Sequence, residues 1–252
     1  MEWRAEGILL SIRKHGESAA IIETLTAEHG RHAGLMHGGT SRRHTATLQP
    51  GNQISMTWRG RLSDNLGTYS AVELVHSRAA TALGDREALA ILDSTRALLT
   101  TLLPERAAMP ALYTGTLALL DALEDADARR LAYGRWEVML LAELGFALDL
   151  DHCAVTGSRE GLAYVSPKSG RAVTAETGAE YADRLLPLPA FLTATGTAPD
   201  RAALAEALTM TGYFLETWAI QNGLDRAVPP ARERLLALLQ RQVKGQGRST
   251  YS

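Results

Sequence analysis

The apolar pattern of this chain changes period once, near residue 80, and the change separates two kinds of structure. Before it, short β-rich runs alternate with turns. Strands are expected over Trp3–Lys14, around Ile8, Leu10 and Ile12, and within Glu17–Thr26, on the apolar run Ala19–Ile22. Arg31–Gly38 reads as a third, and Tyr69–Val75 as a fifth. Between them, Gln53–Arg59 alternates polar residues with Ile54, Met56 and Trp58, the pattern of a half-buried strand. Gly16, Gly30, Gly38-Gly39, Pro50-Gly51 and Asp64-Asn65 mark the turns. Five short antiparallel strands suit a small closed barrel, because closure removes exposed sheet edges.

After residue 80 the period is helical. Asp85 is expected to N-cap a helix carrying Ala88, Leu89, Leu92, Leu98, Leu99 and Leu102, ended by Pro104. A second helix is expected from Pro110 to Leu123, and a third from Ala128 to Leu144, closed by Gly145. Residues 149–178 break the pattern, with four glycines and a hairpin expected at Leu162–Val173. Helices are expected again over Ala179–Leu186, Arg201–Asn222 and Pro230–Val243, before a polar, frayed tail at Lys244–Ser252. The chain is thus α+β, with domains over 1–80 and 81–252 and an insertion at about 149–178 of the second.

Total charge does not advertise a polyanion partner, since the net is −2. Its distribution is more informative. Residues 1–80 hold nine Lys/Arg against seven Asp/Glu, and six of the seven His, so a polyanion is expected there if anywhere. Cys153 is the single cysteine, which excludes an internal disulfide and a multi-thiolate metal site. No stretch approaches the length of a membrane span, and the N-terminus lacks a signal-peptide layout. A cytoplasmic, nucleoid-associated protein is expected.

Catalytic motifs are missing. No GxxxxGK[ST], GxGxxG or HExxH occurs. Gly157-Ser158-Arg159-Glu160-Gly161 lacks the spacing of a nucleophile elbow, and His37-Gly38-Gly39 has no nucleophile to serve as an oxyanion loop. No enzyme activity, cofactor or metal is expected.

Two constellations stand out. The first is Arg42-Arg43-His44 after Gly38-Gly39-Thr40-Ser41, a loop in which glycine admits a phosphate to the backbone and Arg binds it bidentately. Arg59-Gly60-Arg61 adds to it if that hairpin lies alongside. Trp3, Trp58 and Tyr69 either fill the barrel core or stack on bases. The second is the third helix, where Arg129, Arg130 and Arg135 flank Tyr133, Trp136, Leu140 and Leu144. That stripe is either core flanked by long cationic side chains or a seat for an acidic, hydrophobic peptide.

The order of these pieces resembles the RecO family. The resemblance rests on EWRAEGILLSIRKHGESAAIIETLTAEHGR, GLMHGGTSRR, Pro50-Gly51 and WRGR in the first third, and on RRLAYGRWEVMLLAELGFALDLDHCAVTG, YVSPKSGRAV and AVPPARERLLALL after it. It implies an N-terminal OB-fold, an α-helical domain and an inserted zinc-finger-like hairpin. It also implies a mediator of recombination in the RecF pathway, which binds single- and double-stranded DNA, anneals strands, binds RecR and the C-terminal tail of single-stranded-DNA-binding protein (SSB), and helps load RecA. No membrane partner is implied. Some relatives carry four zinc cysteines in the insertion. Here Cys153 stands alone, with Thr156 at the CxxC partner place, so a metal-free hairpin held by packing is expected.

Two site expectations follow. DNA contact falls to Arg13, Lys14, Arg31, Arg42, Arg43, Arg59 and Arg61, and SSB-tail contact to Arg130, Arg135, Trp136, Leu140 and Leu144. Any DNA contact is expected at the backbone, because annealing leaves base edges free. The competing expectation is a protein-interaction scaffold that touches DNA little.

Overall fold

The computed structural model describes residues 1–61, 66–193, 198–224 and 228–246, with the backbone alone for 242–246. The expected turn at Asp64-Asn65 and the end of the expected tail, from 247, lie outside the described residues. The chain is mixed α+β and divides into two compact units, Met1–Glu124 and Asp125–Ser252.

The first unit opens with five strands: β1 (Glu2–His15), β2 (Ala19–Thr26), β3 (Gly30–Met36), β4 (Gln53–Arg59) and β5 (Gly67–His76). They close into a barrel in the order β1-β2-β3-β5-β4. All neighbours are antiparallel except β3 and β5, which run parallel from Gly34 opposite Gly67 to Met36 opposite Tyr69. The alternation read from sequence is what fills the barrel: Leu9, Ile22, Met36, Ile54, Met56, Trp58 and Tyr69 face inward, with Leu48 from the β3–β4 connection. Trp3 and Trp58 stack inside, their ring centres 5.6 Å apart. Trp3 is 9% exposed, Trp58 3% and Tyr69 3%. Of the two readings of these aromatics, the structure takes the core one.

Three helices complete this unit: α1 (Arg78–Leu83), α2 (Arg86–Leu102) and α3 (Pro110–Asp121). Asp85 caps α2 as its sequence suggests, accepting from the backbone N–H groups of Glu87 and Ala88. The segment after α2 lies so close to the barrel that Gly30 admits no side chain: a Cβ there would sit 1.8 Å from the Ala107 carbonyl oxygen. Gly30 also has φ +62, which glycine adopts without strain.

The second unit holds α4 (Ala126–Glu143), the strands β6 (Leu162–Val165) and β7 (Ala172–Thr174), the short α5 (Ala175–Gly178), β8 (Leu186–Pro187), α6 (Arg201–Gln221) and α7 (Pro230–Gln246). Asp125 caps α4, and Gly145 follows it at φ +88. The helix expected over Ala179–Leu186 is 3-10 rather than α and ends at Arg184. Residues Ala179–Arg184 form a 3-10 turn and Leu186 pairs with Val165 as strand β8. The proline at 187 withdraws a helical donor, and tertiary pairing with β6 overrides the local apolar pattern.

α4, α6 and α7 meet at one buried polar knot. The carboxylate of Glu137, 0% exposed, accepts from Arg232 Nε and Nη2 at 2.8 Å each and from the Tyr133 hydroxyl at 2.6 Å. Thr211 also donates to it, and Arg232 Nη2 donates to the Leu208 carbonyl. A buried charge without such partners would be strongly destabilising, so these residue types are required together.

Candidate nucleic-acid interface

The β1–β2 turn and the β3–β4 connection are fastened to each other. Thr40 donates from both its backbone N–H (3.2 Å) and its hydroxyl (3.0 Å) to the Ser18 carbonyl. A Cβ on Gly39 would lie 2.8 Å from that of Ala20, which pairs with Lys14 across the sheet. Arg42–His44 then make a 3-10 turn, and Leu48 anchors the loop below it in the barrel core. The result sets Arg13, Lys14, Arg42 and Arg43 around one end of the barrel. All four are exposed, and none has an ion-pair partner among the described residues.

Arg59 and Arg61 are placed elsewhere. Because β3 and β5 run parallel, the loop leaving β3 travels away from the hairpin that enters β5. The expectation that this hairpin lies beside the Arg42 loop is therefore corrected. Strand register instead puts Arg13, Ile21, Leu35, Thr68 and Arg59 in one row around the barrel. Four strand spacings separate its ends, about 19 Å along the sheet. Ile21 and Leu35 are half-buried and Thr68 exposed, so along this row three uncharged residues of β2, β3 and β5 lie between the two cationic groups. Arg59 forms an exposed ion pair with Glu2 at 2.9 Å, an interaction that contributes at most about 1 kcal/mol and exchanges readily. Arg61 is exposed.

Arg31 is a structural residue. Its guanidinium pairs with Glu23, donates through Nε to the Leu103 carbonyl at 3.0 Å, and approaches Glu105 at 3.8 Å. With 15% of its side chain exposed, it clamps β3 to the segment after α2 and has little left for a phosphate.

On α4 the two stripes separate. Tyr133, Trp136, Glu137 and Leu140 face the interior, Trp136 at 2% and Leu140 at 0% exposure. Neither can receive an incoming side chain. Arg130 is buried and pairs with Asp127 at 3.1 Å. Leu144 is half-buried, its carbonyl accepting from Trp218 Nε1. Arg135 alone of the five expected tail-binding residues is exposed. It stands at an open cavity of about 380 Å³, lined by Val138, Met139 and Ala142 of α4 and by Asp151, Leu192 and Thr193 opposite. Residues 135, 138, 139 and 142 repeat at i, i+3, i+4 and i+7, so the sequence carried this second stripe on the face opposite the stronger one.

The sequence reading missed a threonine pair in the insertion. Thr174 and Thr177, at the β7–α5 junction, close around Cys153. Burial pushes the thiol up, while hydrogen bonds from Thr156, Thr174 and Val155 pull it down to about 6. Among the described residues no group of three or more His, Cys, Asp or Glu is placed to hold a metal, and no helix is long and apolar enough to cross a membrane.

The family model described as Recombination protein O N terminal matches residues 1–78, and that described as Recombination protein O C terminal matches residues 83–218. A DNA repair protein RecO from Roseobacter denitrificans is 54% identical over 243 residues, covering 96% of this chain and 100% of that protein. Proteins of the same name from Ruegeria sp. and Jannaschia sp. are 51% and 49% identical over 243 residues, covering 96% of this chain and 100% and 98% of theirs. With both halves matched and relatives aligned over nearly the full length, the chain belongs to the RecO family of DNA repair proteins.

Proposed function

We propose that the barrel is an OB-fold that binds single- and double-stranded DNA by its phosphate backbone, and that the chain acts as a non-enzymatic mediator of recombination. The observation that carries this reading is the cationic end of the barrel: four exposed Lys/Arg side chains, fixed by the Ser18–Thr40 hydrogen bonds and without ion-pair partners among the described residues. OB-folds bind oligonucleotides over strands 2 and 3 and the loops between strands 1 and 2 and strands 4 and 5. Here Arg13 and Lys14 flank the first loop, and Arg59 and Arg61 the second. DNA held at these two ends crosses the uncharged row of Ile21, Leu35 and Thr68, with phosphates fixed and base edges free for pairing. Such a grip suits annealing, and with RecR it suits loading of RecA onto SSB-coated strands.

The cavity beside Arg135 is the proposed seat of the SSB tail. Its guanidinium suits a terminal carboxylate, and Val138, Met139 and Leu192 suit an apolar anchor. This assignment moves the site from Trp136 and Leu140 to the opposite stripe of α4. The proposed setting is the cytoplasm, at the nucleoid.

A second reading is favoured by Ile21 and Leu35 on the outer sheet face: a scaffold that binds RecR or SSB there and touches DNA little. Titration of the chain against labelled single-stranded oligonucleotide at low salt separates them. Retarded complex without any partner supports direct binding, and its absence supports the scaffold.

A further inference from the structure

Cys153 and Thr156 stand two residues apart, as do Thr174 and Thr177, and seventeen residues separate the pairs. With cysteine at all four places this would be the spacing C-x2-C-x15–20-C-x2-C of a zinc site. The two pairs come together in space. Cys153 Sγ lies 4.0 Å from Thr174 Oγ1 and 3.6 Å from Thr177 Oγ1. In a tetrahedral thiolate site with Zn–S of about 2.3 Å, neighbouring sulfurs lie about 3.8 Å apart.

The backbone has a knuckle's form as well. Gly157 N–H donates to the Cys153 carbonyl at 2.9 Å, and Cys153 N–H to the Ser158 carbonyl at 2.8 Å, with Gly157 at φ +72. The residues present nevertheless do not fit zinc, whose protein ligands are thiolate, imidazole and carboxylate. Neutral hydroxyls supply none of these, and those of Thr174 and Thr177 are spent on each other at 2.8 Å. Thr174 Oγ1 also accepts from the Thr177 N–H, capping α5.

We infer that Cys153, Thr156, Thr174 and Thr177 occupy the four positions of a metal knuckle in which hydrogen bonds do the work of the metal. The cluster holds the insertion together without an ion. Its backbone retains the geometry of a soft-metal site, which returns when the three threonines are replaced by cysteine.

Two measurements test this. The wild-type chain, purified without chelator, is expected to carry far less than one equivalent of zinc, with a Tm unmoved by EDTA. Stoichiometric zinc, or a Tm lowered by EDTA, overturns the inference. The variant T156C/T174C/T177C, titrated with cobalt(II), is expected to bind one equivalent with the intense visible bands of a tetrahedral thiolate site, and to melt higher with zinc than without. A folded variant that binds cobalt only weakly, with octahedral absorption, overturns the retained geometry. If the triple variant does not fold, T174C/T177C supplies three thiols with Cys153, and the same spectra decide.

Discussion

The Ser18 carbonyl accepts two hydrogen bonds from Thr40, one from its backbone N–H and one from its hydroxyl. This contact joins two loops that are 22 residues apart in the chain. Without it Arg13 and Lys14, at the end of β1, would stand apart from Arg42 and Arg43 in the β3–β4 connection. With it they form one field at the end of the barrel, where closely spaced cations reinforce one another toward a polyanion.

Arg31 separates a structural cation from those proposed to bind DNA. Arg31→Ala removes one partner of the pair with Glu23 and the bond to the Leu103 carbonyl, both largely shielded from water. A loss of about 2–3 kcal/mol in unfolding free energy is expected, because a poorly solvated carboxylate is left behind. Oligonucleotide affinity of the folded variant, with its salt dependence, is expected to match wild type. Chemical denaturation and fluorescence anisotropy check the two halves.

The two stripes of α4 are expected to respond in opposite ways. Arg135→Ala weakens binding of an acidic peptide ending in Phe by roughly tenfold, the loss of a charge-assisted hydrogen bond, and leaves Tm unchanged. Leu140→Ala, at a position fully buried among helices, costs about 2–5 kcal/mol of stability instead. Calorimetric peptide titration alongside thermal melting distinguishes them. Undiminished peptide affinity in the Arg135 variant removes the cavity as the docking site.

His32 gives the barrel a pH dependence. Burial pushes its pKa below the usual 6.5, against an opposing hydrogen bond with the His29 carbonyl, and with help from the Arg106 charge. The folded chain thus keeps His32 neutral where the unfolded chain protonates it. The stability tied to the neutral ring is fully present above pH 6.5 and is lost as pH falls through the lowered folded value. Melting of wild type and His32→Phe between about pH 8 and about pH 5 checks the sign, the wild type falling more steeply toward acid. Parallel curves would contradict it.

The barrel was legible because its signals are local. Inward residues such as Ile54, Met56 and Trp58 alternate within one strand, and Gly16, Gly30, Gly38 and Gly51 all take the positive φ that their turns require. What escaped depends on partners distant in the chain. β8 exists because Leu186 pairs with Val165, and α1 is too short, at six residues, to show a period. The Arg31 clamp needs Leu103, 72 residues away. On α4 the arginines were visible, but a cationic residue beside an apolar stripe reads the same whether the stripe faces the core or a ligand. Thr174 and Thr177 were passed over because hydroxyls in a CxxC spacing carry no metal chemistry of their own.

The Arg13–Lys14–Arg42–Arg43 field is proposed to hold DNA by its phosphates. The most direct test is the dependence of single-strand affinity on salt, measured for wild type and for R42A/R43A. Each phosphate contact contributes about −0.7 to the slope of log K against log salt for a single strand, so the double variant is expected to bind more weakly with a slope shallower by about 1.4. Its melting is expected to match wild type, since neither arginine has an ion-pair partner among the described residues. Equal affinity and equal slope in the two proteins would mean that this field does not hold the DNA.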